Sequence, residues 1–171
     1  MSIEAFTGAW NYAGLPANVR IGERCFIERK DSFERFRSLQ NPGLTLGDRV
    51  GPRGQVTIGN YSCLVGSKIV TNASVAIGDY CFIAHDVMIA DHAHAIPPTA
   101  SEQFDEIVQP SAIVIEDCVW IGAAAILLTG ARIGAGSIIG AASIVDFEVP
   151  PNTIVLGNPG RIVSWSAAGR S

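Results

Sequence analysis

From Ile115 onward the chain sets a large aliphatic residue at every sixth position: Ile115, Ile121, Leu127, Ile133, Ile139 and Val145. The fifth position of each block is small or β-branched, at Val119, Ala125, Ala131, Ser137 and Ser143. The same frame runs earlier as "IGNYSC" and "LVGSKI" from Ile58, and as "IGDYCF" and "IAHDVM" from Ile77. It opens with "IGERCF", leading to Ile27, Phe33 and Leu39, and single-residue slips near Thr45 and Ala76 join the runs. A period of six is neither the 3.6-residue return of a helix face nor the plain alternation of a hairpin sheet. It is a period of two that is reset at a corner. Each block supplies a short strand with one aliphatic and one small residue turned inward, followed by a turn. Three blocks close a triangular coil, and the coils, stacked in parallel, are stable only by burying one another. The expected fold is all-β, a parallel β-helix forming a single domain over residues 1–171, with coils over about 18–163 and a short C-terminal tail.

The frame fails most clearly over about 91–114, in "DHAHAIPPTASEQFDEIVQPSA", which holds Pro97, Pro98, Pro110 and several carboxylates. This stretch is expected to leave the coil as one long excursion loop, the usual place for a site on a solenoid. A smaller irregularity, "RKDSFERFRSLQNPG" over 29–43, keeps Phe33 and Leu39 in frame and reads as a decorated coil.

Composition narrows the possible partners. The chain has 171 residues, enough for one ordinary domain. Charged residues make up 16% and apolar residues 48%, which implies much buried surface and a face shared with another subunit. A net charge of −4 with lysine only at positions 30 and 68 offers no basic stripe, so nucleic acid is not an expected partner. No apolar run approaches the ~20 residues of a membrane span. The opening "MSIEAFTGAW" lacks the basic and apolar regions of a signal peptide, and a cytoplasmic location is expected. Cys25, Cys63, Cys81 and Cys118 stand apart without a CxxC pair, and read as buried thiols rather than zinc ligands or disulfides.

The histidines crowd at the root of the excursion. His92 and His94 flank Ala93, with His85 upstream. From the residues alone they are metal ligands, a general base with a neighbour, or polar loop residues.

Three segments carry a resemblance: "VMIADHAH", "IEDCVWIGAAAILLTGARIGAGSIIGAASIV" and "VPPNTIVLGNPGRIV". Over about 18–163 the chain resembles the hexapeptide-repeat acyltransferases, the left-handed β-helix family that includes galactoside, maltose and xenobiotic acetyltransferases and O-acetyltransferases of polysaccharide biosynthesis. The resemblance implies a left-handed coil, acetyl-CoA as donor with no metal required, and a homotrimer with active sites between subunits. It also implies His94 as the catalytic base, and a neutral imidazole suits proton removal from a hydroxyl at neutral pH. His92 and Asp91 are implied as substrate-binding neighbours, while Asp91, Glu102, Asp105 and Glu106 remain open as partners of the imidazole. Trp120, in the family's "WIG", is implied beside both acceptor and thioester, where its indole face can pack a sugar ring. Gly122, Ala123, Gly140, Ala141, Asn158 and Arg161 are implied to line the CoA groove.

The chain departs from the family at Asp146 and Phe147, where relatives often have Thr-Lys. A phosphate-facing lysine is therefore missing, and Phe147 is expected to offer adenine a ring face. No counterpart of the galactoside-positioning asparagine is found, so a sugar-type acceptor such as a nucleotide-linked sugar or polysaccharide unit is favoured. The alternatives are a γ-carbonic-anhydrase-like zinc hydratase, an N-acetyltransferase on an amino sugar, and a non-catalytic β-helix subunit.

Overall fold

The structure, a computed structural model, describes residues 18–27, 54–91 and 110–163, together with the backbone of 45–46. Its strands wind as a left-handed parallel β-helix, and among the described residues there is no helix. The first sheet stacks Val19–Ile21, Gln55–Ile58, Ser74–Ile77, Ile113–Ile115, Arg132–Ile133 and Glu148–Val149. The second stacks Phe26–Ile27, Cys63–Leu64, Phe82–Ile83, Trp120–Ile121, Ile138–Ile139 and Ile154–Leu156, and ends on Arg161–Val163. The third stacks Thr45–Leu46, Lys68–Val70, Met88–Ala90, Ile126–Leu128 and Ile144–Val145. Apart from the last two, consecutive described strands lie on different sheets, so each pairs only with strands of neighbouring coils.

The six-residue frame is the core. Ile83, Ile89, Ile121, Leu127, Ile133, Ile139 and Val145 are completely buried, as are Ala125, Ala131, Ser137 and Ser143 at the fifth positions. Most buried hydroxyls find partners, although Ser67 Oγ has none among the described residues. Ser62 Oγ donates to the Gly78 carbonyl at 2.8 Å and Ser137 Oγ to that of Pro150 at 2.8 Å, each one coil further on. Two thiols do the same: Cys25 Sγ reaches the Gly59 carbonyl at 2.8 Å and Cys81 Sγ that of Glu116 at 3.1 Å. Burial pushes both thiols above the ordinary cysteine pKa. The expectation that all four cysteines are buried holds only for these two, since Cys63 is half-buried and Cys118 exposed.

The corner between the first and second sheets is built from residues in left-handed backbone, at Arg24, Tyr61, Tyr80, Cys118, Gly136 and Asn152. A side chain there costs roughly 1–2 kcal/mol. The stacked rings of Tyr61 and Tyr80, 4.9 Å apart and 4° from parallel, offset part of this, as does the Arg24 guanidinium 5.7 Å over Tyr61.

Phe33 and Leu39, which the six-residue frame reads as coil positions, lie outside the described residues; after Ile27 the next described strand is Thr45–Leu46. The single-residue slip near Ala76 is the net of two, because Leu64 to Ile69 is five residues and Ile69 to Ile77 eight where the regular frame has six each. One expectation is corrected. The last strand, Arg161–Val163, runs antiparallel to Ile154–Leu156 and so reverses the chain instead of beginning another coil. The long excursion replaces the corner between Ala90 and Ile113, where the coil below spends only residues 71–73.

Leu127→Ala, at a fully buried frame position, is expected to lower unfolding free energy by about 2–5 kcal/mol. Glu148→Ala, on the exposed side of the first sheet, is expected to shift it by less than about 0.5 kcal/mol. Denaturant titrations of the two variants compare them directly.

Candidate functional site

Residues on the outer side of a strand are free of the core, and along the second sheet they form an apolar column. Phe26, Cys63, Phe82, Trp120, Ile138 and Ile154 stack in register, one from each coil. Trp120 is 56% exposed, and its ring leans on Phe82 with centroids 5.1 Å apart at 56°. An exposed indole braced by a second ring presents a fixed flat face, the kind of surface a sugar ring packs against.

The strand bearing Trp120 leads straight into the corner with the third sheet. There Gly122 and Ala123 lie below Gly140 and Ala141 of the next coil, in the register set by Ile121 and Ile139. The Gly122 N–H donates to the Ile139 carbonyl at 2.7 Å, Gly140 to Val155 at 2.8 Å, and Ala142 to Ala123 at 2.9 Å. The sequence suggested small residues here so that a ligand could approach the backbone. For Gly122 the neighbouring coil imposes the requirement first: a Cβ would stand 2.6 Å from the Ala141 nitrogen. Ala123 and Ala141 are exposed and leave a smooth ledge beside the indole. Asn158 sits in the exposed turn above it, and Arg161 starts the return strand, paired with Leu156. The ledge continues downward to the exposed His85, whose carbonyl accepts the Ala124 N–H at 2.8 Å. Sequence reasoning gave His85 no role, because only the coil register brings it under Ala123.

Two expected residues are otherwise engaged. Phe147 is half-buried and packs against the core. Asp91 was expected to face substrate, yet it is completely buried and its carboxylate is turned onto the coil below. It lies at the corner between the third and first sheets, across the third sheet from the ledge. His92, His94, Glu102, Asp105 and Glu106 lie outside the described residues. Among the described residues no group of three His, Cys, Asp or Glu side chains is placed to hold a metal ion.

No protein-family model matches the chain. Galactoside O-acetyltransferase of Escherichia coli K12 is 35% identical over 104 residues, covering 61% of this chain and 50% of that protein. Among solved structures, the polySia-specific acetyltransferase NeuO matches with a TM-score of 0.57 and 31% identity, over 69% of this chain and 57% of that one. A hexapeptide-repeat-containing acetyltransferase of Vibrio cholerae O1 biovar eltor, complexed with acetyl coenzyme A, matches with a TM-score of 0.57 and 29% identity, over 66% and 63%. The chain spans about half the length of the curated relatives it matches. It is a relative of the hexapeptide-repeat acetyltransferases and shares their left-handed coil.

Gly122→Ala is expected to cost about 1–3 kcal/mol, because the added carbon meets backbone that has no room to yield. Ala123→Ser, at an exposed ledge position, is expected to leave stability unchanged. Thermal melts of the two variants decide it.

Proposed function

We propose that the chain is an acetyl-CoA-dependent O-acetyltransferase that acts on a hydroxyl of a sugar, nucleotide-sugar or polysaccharide unit. The observation that carries this reading is the exposed, braced Trp120 opening onto a ledge of stacked small residues. It combines a flat face on which a sugar ring can pack with a strip of exposed alanines along which an extended thioester arm can lie close to the backbone. The relatives' activities support the donor and the class of acceptor.

Gly122, Ala123, Gly140 and Ala141 would hold the donor's arm, with Asn158 and Arg161 beside its nucleotide end. Acetyl-CoA supplies the acetyl group in activated form. His94 accepts the acceptor's hydroxyl proton as its oxygen becomes the nucleophile, and His92 helps to hold the acceptor against Trp120. No helix of the described residues is long and apolar enough to cross a membrane, and a CoA donor fits a cytoplasmic reaction.

We infer that the two halves of this site come from different chains. His85, on the ledge, and Asp91, at the loop root, stand at opposite edges of the third sheet, with the strand Met88–Ala90 between them. The outer faces point the same way. The first sheet presents Arg20, Thr57, Arg132 and Glu148 to solvent, whereas the second presents Phe82, Trp120 and Ile138, at 37%, 56% and 39% exposure, and the third presents Met88 at 39%. Contiguous apolar faces meet partners. A three-fold homotrimer, with the loop of one chain against the ledge of the next, satisfies both facts.

Transfer from acetyl-CoA to a panel of hexosides, nucleotide sugars and oligosaccharides, followed by thiol release and product NMR, tests the reading. His94→Ala is expected to lower the rate by about 10²–10⁴-fold with an unchanged Tm, and His92→Ala much less. Equal losses from the two would overturn the assignment of the base, acetylation confined to amino sugars would overturn O-transfer, and activity lost with chelated stoichiometric zinc would indicate a hydratase. Light scattering is expected to give a mass near three times the 18.1 kDa chain, and a fully active monomer would contradict the shared site.

A further inference from the structure

The register Val70, Ala90, Leu128 on the third sheet carries one residue further, to Thr71, Asp91 and Thr129 at the corner. All three are buried: Thr71 and Asp91 completely, Thr129 nearly so. A polar column inside a corner must satisfy its own hydrogen bonds. The Asp91 carboxylate accepts the Thr71 hydroxyl, the Asn72 N–H at 3.1 and 3.0 Å to its two oxygens, and the Ala73 N–H at 2.7 Å. The Asp91 N–H in turn donates to the Val70 carbonyl at 3.3 Å. Asp91 is thus clasped to a run of consecutive residues in the coil below. One coil above, Thr129 Oγ1 accepts the Ser111 N–H at 2.9 Å.

These bonds fall on the two limbs of the excursion. Asp91 is the last residue before it and Ser111 lies just after it, so one buried column holds both ends. A carboxylate gripped by two backbone amides and a hydroxyl fixes direction as well as position, since each bond is charge-assisted and each donor points along a different line. His92 follows immediately, and His94 is three residues on. Three residues span at most about 11 Å of extended chain, so the His94 backbone is tethered within that distance of the clasp.

We infer that Thr71, Asp91 and Thr129 form a positioning device for the histidine-bearing loop, with Asp91 acting through the backbone rather than on substrate. This rests on the transferase reading above, in which His94 is the base. A misplacement of about 1 Å at such a group costs on the order of 10²-fold in rate. The donor ledge lies across the third sheet and is untouched by the column.

The test compares Asp91→Ala, the near-isosteric Thr71→Val and the hydroxyl-retaining Thr71→Ser in the full chain. Three readouts are taken: hydrogen exchange at the Asn72 and Ala73 amides, carbethoxylation of His92 and His94 by diethyl pyrocarbonate, and kcat and KM with acetyl-CoA and the most active acceptor of the hexoside, nucleotide-sugar and oligosaccharide panel. Asp91→Ala and Thr71→Val are expected to speed exchange at those amides, alter the relative modification of the histidines, and lower kcat by about 10–100-fold at unchanged KM for acetyl-CoA. Thr71→Ser is expected to match wild type. Unaltered exchange and modification in both disruptive variants would overturn the inference, as would a raised acceptor KM at constant kcat, which marks a substrate ligand. Should wild type acetylate no acceptor, the transferase reading fails while exchange and carbethoxylation still decide whether the column holds the loop.

Discussion

Up to the final return strand, the described strands are held by backbone hydrogen bonds to the coils above and below and not to their neighbours in sequence. A two- or three-residue strand has no stability alone, so the stacking register is the constraint on which everything else depends. It explains why the aliphatic residue of each hexad tolerates so little variation, and why a small residue must share the interior with it. It also explains the buried serines and cysteines at the corners, where the ladder is interrupted and a short polar side chain bridges to the next coil.

The same constraint separates core from site. With alternate residues committed inward, outer positions and corners are free for chemistry, and the register stacks whatever they carry into columns. Phe82 under Trp120 is one such column; Ala123 under Ala141 is another. A third, Thr71, Asp91 and Thr129, is buried and polar, and it lies where the chain departs from the coil. Each is assembled from residues 18 to 38 positions apart in sequence, and each is rigid because the coils beneath it are.

Much of this was legible in the sequence because the hexad is a local signal. The period gave the coil, the frame residues from Ile115 to Val145 gave the core, and the lapse after Ala90 gave the excursion. The alanines of the ledge and the indole were singled out by the resemblance to the hexapeptide-repeat acyltransferases, and the coil register stacks them on neighbouring coils. What was not legible depended on contacts between coils. Asp91 reads as one more acid in a polar loop until Thr71, Asn72 and Ala73 are seen to face it. The antiparallel return strand satisfies an aliphatic pattern no different from that of a parallel one. Gly122 reads in the sequence as room for a ligand, whereas the clash that demands a glycine there comes from Ala141 in the next coil.

The central claim is that the histidine of one chain works against the ledge and indole of another. Subunit complementation tests it most directly. His94→Ala and Trp120→Ala proteins, each inactive, are unfolded together in equal amounts, refolded and assayed. If sites form between chains in a three-fold ring, about a quarter of the sites in random hybrids combine an intact histidine with an intact tryptophan, and the mixture recovers about that share of wild-type activity. A site contained within one chain would leave the mixture as inactive as its parents.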